Sequence, residues 1–192
     1  MSFNDEISKK NIQKVETIEM VKVVKFGGSS LASSQQFKKV GEIIHAEESR
    51  KYIVPSAPGK RFSDDIKVTD MLYECYTTAV KGKDYKPLLE NIKKRYYEII
   101  NELGLDLSLE KEFSIMESGF VGKAGRDYAA SRGEYLNGIV LANYLGFEFI
   151  DAAEVIFFDD NGNFDADKTN EILSERLSKV AYAVIPGFYG SM

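Results

Sequence analysis

The chain has 192 residues, 44% apolar and 29% charged, which suffices for one domain with a sizeable core and is short for two. Its 25 basic residues are interspersed among 30 acidic ones for a formal charge of −5, so no positive stripe offers itself to nucleic acid or to a membrane of anionic lipid. One cysteine, Cys75, and one histidine, His45, exclude an internal disulfide and a Cys/His zinc set, and the N-terminus lacks a signal-type apolar core, which together predict a cytoplasmic protein.

Residues 1–20 are polar with unevenly spaced apolar positions and read as a flexible leader before the folded part. The β-branched run V-K-V-V-K-F at 21–26 predicts a strand, and F-G-G-S-S supplies the loop after it. Ser33 to Gln36 has capping-box spacing, and Phe37, Val40, Ile43 and Ile44 continue at helical intervals to about residue 49. The unit repeats, with a strand and loop in K-Y-I-V-P-S-A-P-G and a helix in V-T-D-M-L-Y-E-C-Y-T-T-A-V-K-G that starts near Thr69 or Asp70. Two such units predict a parallel sheet with helices on its faces.

Residues 85–103 form an amphipathic pattern stopped by Gly104, with a short helix expected at 107–116 and a longer one at 125–145 stopped by Gly146. F-E-F-I-D-A and E-V-I-F-F alternate like strands, and Asp160-Asn161-Gly162 marks a turn before a short segment around Phe164. A helix at 167–177 then leads into A-Y-A-V-I-P-G-F-Y-G, a buried strand ending in a Pro-Gly loop. The fold class expected is α/β, a three-layer αβα sandwich on a mainly parallel sheet.

Such sheets gather ligands at the carboxyl ends of their strands, so the junctions at 25–30, 55–60 and 186–191 are expected on one edge. Gly27 and Gly28 can bring backbone N–H groups close to an anion, Ser29 and Ser30 add hydroxyls, and Lys25 adds a point charge, a combination suited to phosphate. A tight turn beside a solvated lysine is the plain alternative. There is no Walker A loop, because Gly122-Lys123 is followed by Ala124, and no G-x-G-x-x-G after a strand. Asp159 to Asn163 misses calcium-loop spacing and reads as a hairpin turn.

Glu134 stands out. On a helix over 125–145 it aligns with Ser131, Gly138, Leu141 and Leu145, so a carboxylate enters the apolar stripe. That is costly unless a cation meets it, either a ligand ammonium or a lysine or arginine of the same chain. Gly133 costs the helix about 1 kcal/mol relative to alanine, which suggests close approach by something. Ser56 and Thr69 could offer hydroxyls or helix N-terminal amides to an anion, although capping explains Thr69 equally well. Lys60 and Arg61 could attract an anionic ligand, whereas His45 reads as a boundary residue and Cys75 as core.

V-K-F-G-G-S-S-L at 24–31, S-A-P-G at 56–59, K-V-T-D-M-L at 67–72, S-R-G-E at 131–134 and V-I-P-G-F-Y-G-S at 184–191 together resemble the segments of aspartokinases, in order, within the amino acid kinase superfamily. The resemblance covers residues 21–192 and marks them as the N-terminal part of the catalytic domain. It implies transfer of the ATP γ-phosphoryl group to the side-chain carboxylate of L-aspartate, giving 4-phospho-L-aspartate, the entry to lysine, threonine and methionine synthesis. It further implies that Lys25 is catalytic, stabilising the transferring group, that Gly27, Gly28, Ser29 and Ser30 hold ATP phosphates, that Ser56 and Thr69 help hold aspartate, and that Glu134 binds its α-ammonium. Mg2+ is implied with ATP, though no metal motif is visible.

Aspartokinases continue beyond this point into further substrate-binding and adenine-binding sequence and regulatory domains. The expectation is therefore a domain incomplete at its C-terminus, with its other half missing, little activity on its own, and an exposed sheet edge that favours a homo-oligomer. The other reading is a non-catalytic aspartate-binding or interaction module that keeps the fold.

Overall fold

A computed structural model describes residues 20–192, so all of the expected leader except Met20 lies outside the described residues. Strand β1 (Lys22–Phe26) runs into a 3-10 turn at Gly28–Leu31 and helix α1 (Ser34–His45), and β2 (Arg50–Pro55) follows, completing the first predicted unit. The capping box does not form. Ser33 occupies the N-cap without a side-chain bond there, and the Ser34 hydroxyl instead donates to Glu102.

Four helices separate β2 from the rest of the sheet: α2 (Val68–Val80), α3 (Lys86–Leu103), α4 (Glu110–Val121) and α5 (Arg126–Leu145). Thr69 and Asp70 lie in the first turn of α2, as expected, and Lys67 is its N-cap, so capping does not account for Thr69. The predicted stops hold: Gly104 and Gly146 take left-handed φ of 68° and 70° after α3 and α5, a conformation that side chains resist. Helix α4 begins and ends later than its expected span of 107–116. Leu109 is buried, its N–H bonded to the Tyr97 hydroxyl, and the buried stripe Phe113, Met116 and Phe120 carries the helix on toward Gly122.

The expectation of strands through 147–158 needs correction. Strand β3 is only Glu148–Phe149, and Asp151 then caps a short helix, α6 (Ala152–Val155), by accepting from the Ala153 N–H at 3.0 Å. Phe157 and Phe158 make isolated bridges to Ser191 and Phe164, the latter across the expected turn, where the Asp159 carboxylate accepts from the Asn161 and Asn163 amides. Helix α7 (Ala166–Leu177) leads to β4 (Ala183–Val184).

All the strand pairs are parallel, in the order β1-β2-β4-β3. The register lines up Val24, Ile53, Val184 and Phe149 across the sheet, and this row packs against the large core shared with α1 to α5. On the opposite face Tyr52 and Ala183 are paired, and α6 and α7 cover the β3–β4 half with Ala152, Val155, Leu173 and Leu177. The result is the expected sandwich of helices around a parallel sheet, with more helix than strand. Over β1 and β2 none of the described residues covers the second face. Val23 is 66% exposed there, and with Tyr52, Val54, Ile185 and Phe188 it lines an apolar groove of about 430 Å3.

Candidate functional site

Because the strands are parallel, the segments after β1 and β2 leave the sheet at the same edge. They touch: the Gly59 N–H donates to the Gly28 carbonyl at 2.8 Å, and the Ser56 N–H donates to the Phe26 carbonyl at 3.0 Å. A Cβ on Gly28 would lie 2.8 Å from the Ala57 carbonyl oxygen, and one on Gly59 would lie 2.6 Å from the Gly28 carbonyl carbon. Gly28 and Gly59 are thus required by loop-against-loop contact. Gly59→Ala is expected to lower stability by roughly 1–3 kcal/mol, as overpacking does against backbone that cannot yield, measured by urea unfolding.

A cleft of about 420 Å3 opens at this contact, lined by Gly28, Ser29, Ser56, Gly59, Lys67, Thr69 and Glu134 among others. Five of the sequence-predicted residues, Gly28, Ser29, Ser56, Thr69 and Glu134, therefore meet in one place. Lys25, Gly27 and Ser30 do not line it. Lys25 stands at the end of β1 with Nζ 3.7 Å from where a Gly27 Cβ would sit, and the Ser30 N–H is engaged by the Gly27 carbonyl at 3.0 Å.

Glu134 comes from α5, which is wedged against α2, α3, α4 and the sheet and is buried along most of its length. The residue is only 9% exposed. One carboxylate oxygen, Oε1, accepts from the Ala57 N–H at 3.3 Å, while Oε2 is buried without a partner. Among the described residues no lysine or arginine forms an ion pair with it. Burial pushes its pKa above the usual glutamate value, partly offset by the Ala57 N–H and by the charge of Lys25. An ionisable acid kept unneutralised beside a cleft is suited to receive a cation from outside the chain. The close approach suggested by Gly133 is made by the protein itself, since a Cβ there would come within 2.8 Å of the Ala57 Cβ and 3.1 Å of Leu72 Cδ1.

Arg61 is not free for an anionic ligand, because its guanidinium pairs with Asp65 at 2.8 Å and Glu98 at 3.0 Å; Lys60 donates to the Ser63 carbonyl and lines the cleft. Cys75 is fully buried, with its pKa pushed up to about 12 by that burial, and His45 is exposed against the Phe147 ring.

Two supporting residues were not singled out from sequence. Arg95 of α3, 5% exposed, donates to the Gly59 carbonyl at 2.9 Å and pairs with Asp65 at 2.6 Å, which ties the loop after β2 to the helical layer. Asp65 is held far below the usual carboxylate range, first by Arg61 and then by Arg95. Asn137 of α5, fully buried, donates to the Ser56 carbonyl at 2.6 Å. The signal that exposed Glu134, a polar residue on a buried helical stripe, is present at both.

Residues 20–191 match the model of the amino acid kinase family. Aspartokinase 3 of Bacillus subtilis is 32% identical over 185 residues, covering 88% of this chain and 40% of that protein, and an aspartokinase of Chlamydia trachomatis is 36% identical over 95 residues, 50% of this chain and 20% of its own. Among solved structures, an aspartate kinase of Clostridium acetobutylicum superposes with a TM-score of 0.86 at 51% identity, over 90% of this chain and 40% of that one. The aspartokinase III of E. coli in complex with aspartate and ADP shares the fold, with a TM-score of 0.69 at 18% identity, over 88% of this chain and 41% of that one. The chain spans about 40% of the length of the first of these relatives and of the solved structures it matches.

Proposed function

Because this chain belongs to the amino acid kinase family, we propose that residues 21–192 are the N-terminal, aspartate-holding part of an aspartokinase catalytic domain. The reaction is transfer of the γ-phosphoryl group of ATP to the side-chain carboxylate of L-aspartate, in the cytoplasm, opening the synthesis of lysine, threonine and methionine. What carries the reading is Glu134, a buried carboxylate with an unpartnered oxygen beside a cleft at the strand ends.

In this reading Glu134 receives the α-ammonium of aspartate, and Ser56 and Thr69 offer hydroxyls to the same molecule from the facing loop and the first turn of α2. Lys25, whose Nζ lies beside the turn after β1, neutralises charge on the phosphoryl group as it moves. Gly27 to Ser30 line the path of the ATP phosphates. Phosphoryl transfer asks a protein for positioning and charge more than for covalent chemistry. Among the described residues no three His, Cys, Asp or Glu side chains gather as a metal-holding group, so no step is assigned to Mg2+.

Calorimetry of the chain with L-aspartate, succinate and Mg-ATP, each alone, tests the proposal. L-aspartate is expected to bind and succinate, which lacks the ammonium, is not. Equal binding of the two, or none by aspartate to the folded chain, would overturn the role given to Glu134. Saturable Mg-ATP binding would place the phosphate-holding residues within this chain's own reach.

A further inference from the structure

Asn137 and Glu134 lie one helical turn apart on α5, a spacing that puts their side chains on one face. Their partners are the two ends of a single peptide group. Asn137 Nδ2 donates to the Ser56 carbonyl at 2.6 Å, and the N–H of that same peptide, belonging to Ala57, donates to Glu134 Oε1 at 3.3 Å. Only an NH2 group can meet a carbonyl oxygen, so chemistry sets which way the carboxamide points. Its Oδ1 is left buried without a partner, as is Glu134 Oε2. The peptide is planar, so any rotation that freed the carbonyl would swing the N–H away from Glu134 as well.

We infer that Asn137 is a positioning residue of the cleft: by holding the Ser56 carbonyl it aims the Ala57 N–H at Glu134 and fixes that carboxylate's setting for its ligand. The inference rests on the proposed aspartate-binding role of Glu134. The other titratable or charged groups around the carboxylate are Lys25 at the end of β1, Tyr96 of α3, whose hydroxyl is bound to the Gly133 carbonyl, and Lys60 and Lys67 on the cleft. Among the described residues none of these four donates a hydrogen bond to the acid; besides the N–H of Glu134 itself, the Ala57 N–H is the donor that reaches it, and the larger influence of the two. The direction of the Glu134 pKa, raised by burial and held back first by this N–H, agrees.

The test follows the Ala57 amide by 15N NMR through a pH titration, alongside calorimetry with L-aspartate. In the unaltered chain the amide shift is expected to track ionisation of Glu134, and Glu134→Gln is expected to remove that titration. In Asn137→Leu, of similar volume and without the donor, the midpoint is expected to move upward and aspartate affinity at neutral pH to fall about tenfold, the equivalent of one hydrogen bond. Asn137→Ser, too short to reach the carbonyl directly, serves if the leucine variant does not fold and is expected to shift in the same direction. An unchanged midpoint in a folded variant overturns the inference whatever aspartate does. A raised midpoint in a chain that fails to bind aspartate upholds the positioning and refutes instead the ligand assigned to the cleft.

Discussion

Glu134→Gln is expected to abolish L-aspartate binding while raising the melting temperature at neutral pH. The amide keeps the shape of the side chain and retains an oxygen for the Ala57 N–H, so what is lost is the charge. Removing one partner of a buried charge pair costs about 2 kcal/mol or more, an affinity loss of at least about 30-fold. The stability change has the opposite sign. The folded chain raises the pKa of Glu134, chiefly by burial, so the protonated form is favoured on folding and stability falls as pH rises through that elevated value. Glutamine escapes this cost. The gain is expected at neutral pH, each kcal/mol of it worth about 2–4 °C in a domain of this size, and should vanish as pH drops below the ordinary glutamate value. Thermal unfolding across pH, paired with calorimetry, measures both. A variant that loses stability and keeps aspartate affinity would make Glu134 a structural acid.

Arg95→Met is expected to cost about 3 kcal/mol, the lower part of the range for removing one partner of a buried ion pair. Methionine replaces the apolar stem, so the loss falls on the guanidinium. Asp65 does not become an isolated charge, because Arg61 still pairs with it at 2.8 Å, and this keeps the cost at the low end. The Gly59 carbonyl loses its donor, so the loop that carries Ser56 and Ala57 loosens against Gly28. Asp65 has a depressed pKa in the folded chain; its contribution is present above the ordinary aspartate value and fades as pH falls through the depressed one. Because Arg61 keeps Asp65 depressed in the variant too, the two chains differ only at the acid end, where the variant should lose less stability than the parent as pH falls below about 2, measured by urea unfolding from neutral pH downward. Equal acid sensitivity in the two would remove Arg95 from this account.

The helices were legible where the chain punctuates itself. Gly104 and Gly146 end α3 and α5 because the left-handed turn is local chemistry, visible in one residue and its neighbours. Glu134 was legible for a related reason: a helical period converts sequence spacing into a face, and an acid on a buried face is conspicuous. Arg95, set among the buried Ile92, Tyr96 and Ile99, carries the same mark, as does Asn137 beside Leu136 and Val140. Their partners, the Gly59 and Ser56 carbonyls, are 36 and 81 residues away in sequence, and nothing local announces them. Gly28 suggested an anion-binding turn, but its immediate need is space for Gly59, a contact that exists only once two strands lie side by side. Residues 152–155 misled in the other direction. Alternating apolar residues favoured a strand, whereas the segment is a short helix capped by Asp151, with Ala152 and Val155 on its buried side.

The open half of the sheet, where Val23 and its neighbours line a groove, bears on how the molecule behaves in bulk. Among the described residues, part of the apolar surface that normally goes into an interior faces solvent. Sulfate and other excluded salts strengthen apolar burial, so they act on two targets at once, tightening the interior and pulling this face toward any oily surface within reach. Urea relaxes both. Added sulfate is therefore expected to raise the urea midpoint of unfolding and, with that face uncovered, to promote self-association, which light scattering across sulfate concentration measures.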